Sequence, residues 1–144
     1  MVLLDSCVWI ELFADGPLAD AYVELYFGDL DEVYLSPIVL AEVLKWLARA
    51  NVDDDARLMA VAGMVNAQPV PLHLGHAVHA ARLAHTLGLP LADALILSQA
   101  EVLGVDLVTQ DGHFRDLPGV RFHEHPSQHP DPTKRKGRRL RRSG

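Results

Sequence analysis

The run LADALILSQAEVLGVDLVTQDG at residues 91–112 holds a helix, its stop and a strand in succession. Leu91, Ala92, Ala94, Leu95, Ile96, Leu97, Ala100, Val102 and Leu103 make it apolar nearly all round, which predicts a largely buried helix over 91–103. Gly104 suits the position just past a helix end. Asp106-Leu107-Val108-Thr109 then reads as a short strand that runs out into the loop Gln110-Asp111-Gly112. Outward from this unit the alternation continues. Toward the N-terminus lie a helix over 74–87 stopped by Gly88 and a weak strand at Val70 between Pro69 and Pro71. A helix starting at Asp53 to Asp55 and reaching about Asn66 comes before them. Ser36 caps and Pro37 opens a helix over about 37–50, with Leu40, Val43, Leu44 and Leu47 on its core face. Val33-Tyr34-Leu35 is a strand, and 17–28 a helix with Leu18, Tyr22, Leu25 and Tyr26 on one stripe. Val2-Leu3-Leu4 is a buried strand ending at Asp5, after which Ser6 is expected to cap the next helix. A last strand is expected at Val120–Phe122.

Short strands alternating with helices predict an α/β fold with a central, mostly parallel sheet of four to five strands flanked by helices. At 144 residues, with 49% hydrophobic and 22% charged residues, one globular domain is expected. Its boundaries are set at 1–126, leaving a Pro- and His-containing exit and a basic tail at 127–144. Cys7 has no partner for an internal disulfide, no stretch suits a bilayer span, and MVLLDS lacks the features of a secretory signal, so the expected address is the cytoplasm. The net charge of −6 conceals an opposite body and tail: residues 1–132 carry six Lys and Arg against nineteen Asp and Glu, and residues 133–144 carry seven Lys and Arg and no acid.

Ligand sites in parallel sheets gather beyond the carboxyl ends of the strands. Asp5 and Asp111 lie at such ends, and Glu42 and Asp93 lie in the early turns of the helices that follow. An ionised Asp93 near the interior costs several kcal/mol of desolvation. A helix N-terminus returns only about 0.3–1 kcal/mol. By itself Asp93 reads equally well as a helix cap, and Glu42 as an exposed helix former. Together, four acids at equivalent topological points raise one another's pKa unless a hard divalent cation neutralises them, and oxygen ligands suit Mg²⁺ or Mn²⁺.

Four pieces carry a family resemblance: Leu4-Asp5-Ser6-Cys7-Val8-Trp9-Ile10-Glu11, Ser36-Pro37-Ile38-Val39-Leu40-Ala41-Glu42-Val43, Leu91-Ala92-Asp93-Ala94-Leu95-Ile96 and Leu107-Val108-Thr109-Gln110-Asp111-Gly112-His113-Phe114. In this order and spacing, over residues 2 to about 122, the chain resembles PIN-domain ribonucleases, specifically the VapC-type toxins of toxin–antitoxin pairs. The resemblance implies a PIN-like fold and a Mg²⁺-dependent endoribonuclease, with Mn²⁺ as the other metal, that hydrolyses RNA by metal-activated water. It further implies a structured RNA substrate such as tRNA, a cognate antitoxin partner and a homodimer. It assigns the catalytic metal site to Asp5, Glu42, Asp93 and Asp111, with Ser6 and Thr109 orienting the carboxylates. Asp116, five residues past Asp111, could assist or replace it, or be a plain loop acid.

Other features have plainer readings beside functional ones. His73, His76 and His79 recur at three-residue spacing, which could place two on one helical face, but no nearby Cys or acid completes a zinc set. His123, His125 and His129 lie among prolines, where a mobile polar exit is the ordinary expectation, and His113 is the histidine nearest the acids. Trp9, Ile10, Leu12, Phe13 and Trp46 serve core packing or an antitoxin helix. Lys134, Arg135, Lys136, Arg138, Arg139, Arg141 and Arg142 form a run that could bind RNA phosphates or remain solvated. Two alternatives therefore stand beside the toxin: an RNA-processing PIN nuclease without an antitoxin, and a non-catalytic RNA-binding protein that uses the tail.

Overall fold

The computed structural model describes residues 1–126; the readings that fall on His129 and on the basic run from Lys134 to Arg142 lie outside the described residues. Five short strands form one parallel sheet in the order β3-β2-β1-β4-β5. They are β1 (Val2–Leu4), β2 (Val33–Leu35), β3 (Gln68–Pro69), β4 (Asp106–Thr109) and β5 (Val120–Phe122). The helices are α1 (Ser6–Phe13), α2 (Ala19–Tyr26), α3 (Pro37–Arg49), α4 (Asp54–Met64), α5 (Leu74–Leu87) and α6 (Leu91–Leu103), with short 3₁₀ turns at Leu30–Glu32 and Gly112–Phe114. The α/β reading therefore holds, and the central strand is β1, which pairs Leu3 with Tyr34 on one side and Leu3 with Leu107 on the other. Leu3, Leu4, Leu107 and Val108 are fully enclosed, as expected for strands covered on both faces.

Helix ends follow local chemistry. Gly88 and Gly104 close α5 and α6 with φ of 68° and 70°, a backbone region that costs glycine nothing. Ser36 Oγ accepts from the Ile38 N–H and Pro37 occupies the first turn of α3, as predicted. The same hydroxyl donates to Gln99 Oε1 at 2.6 Å, tying α3 to α6 through two fully buried polar groups.

Several expectations are corrected. The cap of α1 is Asp5, and Ser6 is its first helical residue. Both residue types cap well; Asp5 does so because its N–H continues the ladder to Val108 O at 2.9 Å, which holds it in extended conformation. Helix α2 is shorter than 17–28, and Leu25 is 60% exposed while Ala19, Tyr22 and Tyr26 are buried. On α3 the buried positions are Val39, Val43 and Leu47, with Leu40 and Leu44 only partly covered. Helix α4 ends at Met64, and the third strand falls at Gln68–Pro69, with the Val70 N–H donating to Leu35 O. Helix α6 is buried through its middle, from Ala94 to Ala100, but its ends surface, with Leu91 and Val102 about two-thirds exposed. His123 and His125 are packed instead of mobile: His123 Nε2 meets the Tyr26 hydroxyl at 2.7 Å and His125 Nε2 reaches Glu11 Oε2 at 3.0 Å. Among the described residues no single helix is long and apolar enough to cross a membrane.

Candidate metal centre

The carboxyl ends of β1 and β4 deliver two acids to one edge of the sheet. Asp5 is 3% exposed; its Oδ1 accepts from the Ser6 N–H at 2.8 Å and its Oδ2 from the Thr109 hydroxyl at 2.7 Å, with the Cys7 thiol 3.5 Å away. Thr109 Oγ1 also accepts from the Asp111 N–H at 3.0 Å, so one buried hydroxyl joins the two strand-end acids. Asp111 caps the following 3₁₀ turn, accepting from the His113 N–H at 3.0 Å, and the fully buried Phe114 anchors that turn.

Asp93 sits in the first turn of α6 without capping it. The N-cap is Pro90, which offers no side-chain bond, and the Asp93 carboxylate instead meets His113 Nδ1 at 3.1 Å. His113 Nδ1 is also 3.2 Å from Asp111 Oδ1. Donor atoms of Asp93, Asp111 and His113 all lie within 4.8 Å of one another. Glu42 on α3 feels the charges of Asp5, Asp93 and Asp111, and its Oε1 is buried with no hydrogen-bond partner in the structure.

The electrostatics follow from this crowding. Burial raises the Asp5 carboxyl, against the opposing hydrogen bonds of Thr109, Ser6 and Cys7 and with a further upward push from Asp111. Asp93 is pushed up to about 6 by burial first, then by Asp5 and Asp111, with His113 opposing. Glu42 rises for the same reason, burial followed by Asp5 and Asp93, while the Ser6 side chain pulls the other way. Three acids that resist ionisation in one crevice mark a candidate functional site, since burial and mutual repulsion both oppose their charges.

Of the residues singled out in the sequence, Asp93 and Asp111 converge most closely, and Asp5 and Glu42 face the same crevice outside that tight group. Thr109 binds the Asp5 carboxylate directly, and the Ser6 backbone N–H does the same while its side chain serves Glu42. Asp116 is exposed, in left-handed conformation at φ 62°, and takes no part in the cluster. His73, His76 and His79 form no metal cluster among the described residues: His76 Nδ1 accepts from the His73 N–H as part of a helix cap, and His79 pairs with Glu101.

Two contributors escaped the sequence reading in whole or in part. By sequence His113 is only the histidine nearest the acids, whereas the structure places it between two of them. Glu11 was read only as part of a motif, yet it is 6% exposed and accepts from the Leu18 N–H, from Gln110 Nε2 at 3.1 Å and from His125. It thereby clamps the residue next to Asp111. Its i, i+3 spacing from Val8 on a short apolar helix is the sole local hint of burial. A separate cavity of about 370 Å³, lined by Met1, Glu24, Tyr26, Asp29, Glu32 and Arg121, opens at the opposite end of the strands and contains none of these acids.

Comparison with known proteins agrees with this architecture. The PIN domain profile matches residues 2–120. Among solved structures, a toxin–antitoxin complex from Klebsiella pneumoniae superposes with a TM-score of 0.73 at 21% identity, covering 84% of this chain and 96% of that one. VapBC2 from Rickettsia felis, bound to a DNA fragment from its promoter, gives 0.66 at 17% identity over 85% and 98% of the two chains. Mycobacterium tuberculosis VapC20, a Sarcin-Ricin loop cleaving toxin, gives 0.67 at 18% identity over 79% and 92%. A comparison with curated proteins returns no match. With the profile spanning nearly the whole described chain and the parallel sheet placing its acids at one edge, the chain belongs to the PIN domain family.

Proposed function

We propose that the chain is a divalent-metal-dependent endoribonuclease, the toxin of a toxin–antitoxin pair, whose active site is the acidic crevice of Asp5, Glu42, Asp93 and Asp111. The observation that carries this reading is the buried, unpartnered Oε1 of Glu42, a residue that feels the charges of Asp93 and Asp111, whose own donor atoms converge. An orphaned buried carboxylate oxygen next to other acids costs stability unless a cation answers it. The donor set is mainly carboxylate oxygen, which fits Mg²⁺ or Mn²⁺. When bound, such a cation polarises a phosphodiester and lowers the pKa of water, so that hydrolysis proceeds near neutral pH.

The chain's own residues prepare the crevice for that task. Thr109 and the Ser6 N–H fix both oxygens of Asp5, and Thr109 holds the backbone of Asp111, so two acids share one hydroxyl as a common reference. Gln110, held by Glu11 and by the Tyr22 hydroxyl at 2.8 Å, keeps the loop after β4 from swinging. An RNA substrate is supported by membership of the PIN domain family and by the VapC20 neighbour, a Sarcin-Ricin loop cleaving toxin. The toxin role, with an antitoxin protein as partner, is supported by neighbours that are toxin–antitoxin complexes. A homodimer and a structured RNA such as tRNA complete the proposal. For Lys134, Arg135, Lys136, Arg138, Arg139, Arg141 and Arg142 the proposed role is phosphate contact, resting on charge alone.

The test is a cleavage assay on total RNA with Mg²⁺, with Mn²⁺ and with a chelator, comparing the wild type with Asp93→Asn. Metal-dependent cleavage lost in the variant, with its fold intact, is the expected result. Full activity in Asp93→Asn or in the chelator would sink the reading. A protein lacking residues 133–144 is expected to keep its active site while binding RNA more weakly; loss of all RNA-directed function without the tail, and no cleavage with it, would instead mark a binding module.

A further inference from the structure

Resting on the metal-site reading above, we infer that His113 is itself a ligand of the cation, which makes this a mixed oxygen–nitrogen site that takes Mn²⁺ in preference to Mg²⁺. The argument begins with placement. His113 Nδ1 lies 3.1 Å from Asp93 Oδ2 and 3.2 Å from Asp111 Oδ1. Adjacent ligands of an octahedral ion, each at about 2.0–2.1 Å from the metal, are themselves about 2.8–3.0 Å apart. The nitrogen therefore stands within about 0.4 Å of that separation from both acids, so a small closure would seat an ion among them. A surface ion pair needs only one acid, and is worth at most about 1 kcal/mol.

The imidazole is also held in that position. The His113 N–H donates to Asp111 Oδ1, the Asp111 N–H donates to Thr109 Oγ1, and the next residue, Phe114, is fully buried. The turn that carries the ring is thus fastened at both ends, although the ring itself is accessible, with its side chain 58% exposed. Glu42, whose Oε1 is buried without a hydrogen-bond partner, interacts electrostatically with Asp5, Asp93 and Asp111 and offers a further donor oxygen. A nitrogen donor changes which metal wins. Mg²⁺ is hard and favours oxygen and water, whereas affinity at nitrogen-containing sites rises along the first transition row, starting from Mn²⁺.

Mn²⁺ added to the metal-free, full-length protein supplies both the ligand and the probe. Binding is followed by loss of the free-ion electron paramagnetic resonance signal, and coordination by the ¹⁴N modulation of the bound ion. Wild type is expected to show directly coordinated nitrogen, and His113→Ala to lose it. Even partners one layer removed from a metal are worth about 10–100-fold in affinity; His113→Ala is expected to bind Mn²⁺ at least about tenfold more weakly. His113→Asp is expected to lose the nitrogen signal, retain binding, and give up the preference for Mn²⁺ when Mg²⁺ competes. The inference is overturned if bound Mn²⁺ carries no ¹⁴N coupling in wild type, if the coupling survives in His113→Ala, or if His113→Ala binds Mn²⁺ unchanged. Asp93→Asn separates the two levels. If wild type binds no Mn²⁺, or Asp93→Asn binds it as tightly, the metal-site reading falls and takes this inference with it; if Asp93→Asn abolishes binding while His113→Ala does not weaken it, only the role of His113 falls.

Discussion

Asp93→Asn should remove the proposed RNA cleavage and, without metal, make the protein more stable. The Asp93 carboxyl rises from its ordinary 3.8 to about 6 through burial and the fields of Asp5 and Asp111. The ionised side chain therefore opposes folding. Since the folded-state pKa is the higher one, the favourable contribution of the protonated group is fully present below 3.8 and lost as pH rises through about 6. A shift of that size corresponds to about 3 kcal/mol at 1.36 kcal/mol per unit, and solvent in the open crevice screens it to about half. The asparagine variant is always neutral and escapes this penalty. In chelator at pH 7.5 it should melt about 5 °C above wild type, and the gap should close toward pH 4. Saturating Mn²⁺ should reverse the order, since about 2.7 kcal/mol accrues to a protein that binds at a hundredfold excess over Kd. Thermal unfolding of both proteins from pH 4 to 8, with and without metal, measures all of this. A variant less stable than wild type at pH 7.5 in chelator, or a gap that persists unchanged at pH 4, would refute the reasoning.

Thr109→Val keeps the shape of a fully buried side chain but deletes the hydroxyl that Asp5 and the Asp111 N–H share. Cleavage should fall about 10–100-fold, with stability lowered by about 1–3 kcal/mol for the partners left unmatched, as read from initial rates and urea unfolding. A variant of wild-type rate would remove Thr109 from the site. Gly16→Ala would drive a Cβ into the Glu11 carboxylate, and Glu11 cannot yield freely because Leu18, Gln110 and His125 all hold it. A loss of about 1–3 kcal/mol is expected, seen as a lower urea midpoint at unchanged slope, whereas an unchanged midpoint would mean the clamp is soft.

What the sequence disclosed was local in origin. Gly88 and Gly104 bound their helices to the residue because a positive φ is written in the residue type, and Pro37 after Ser36 marks a helix start for an equally local reason. The positions of Asp5 and Asp111 at strand ends followed from the alternation of elements. Burial on the short helices did not: Leu25 looked like a core residue on α2, and only the packing partners decide that Ala19 faces inward in its place. Glu11 was illegible because its partners Gln110 and His125 lie 99 and 114 residues away in sequence, and nothing in a helical octapeptide announces them. His113 was half legible, since its nearness to Asp111 could be read from the sequence but its approach to Asp93, twenty residues away, depends on how α6 meets the turn.

The two-residue strand β3 bears on how this protein can be recognised. Gln68–Pro69 pairs with β2 and forms one border of the sheet. A border strand ordinarily offers a row of free amide and carbonyl groups, a template on which another polypeptide can lay itself by strand addition. Here the row is one peptide unit long, and Pro69 has no N–H to give. That margin is closed both to an incoming peptide and to sheet-to-sheet aggregation. A partner approaching from this side must rely on side chains, because the strand leaves almost no backbone on which to add another strand.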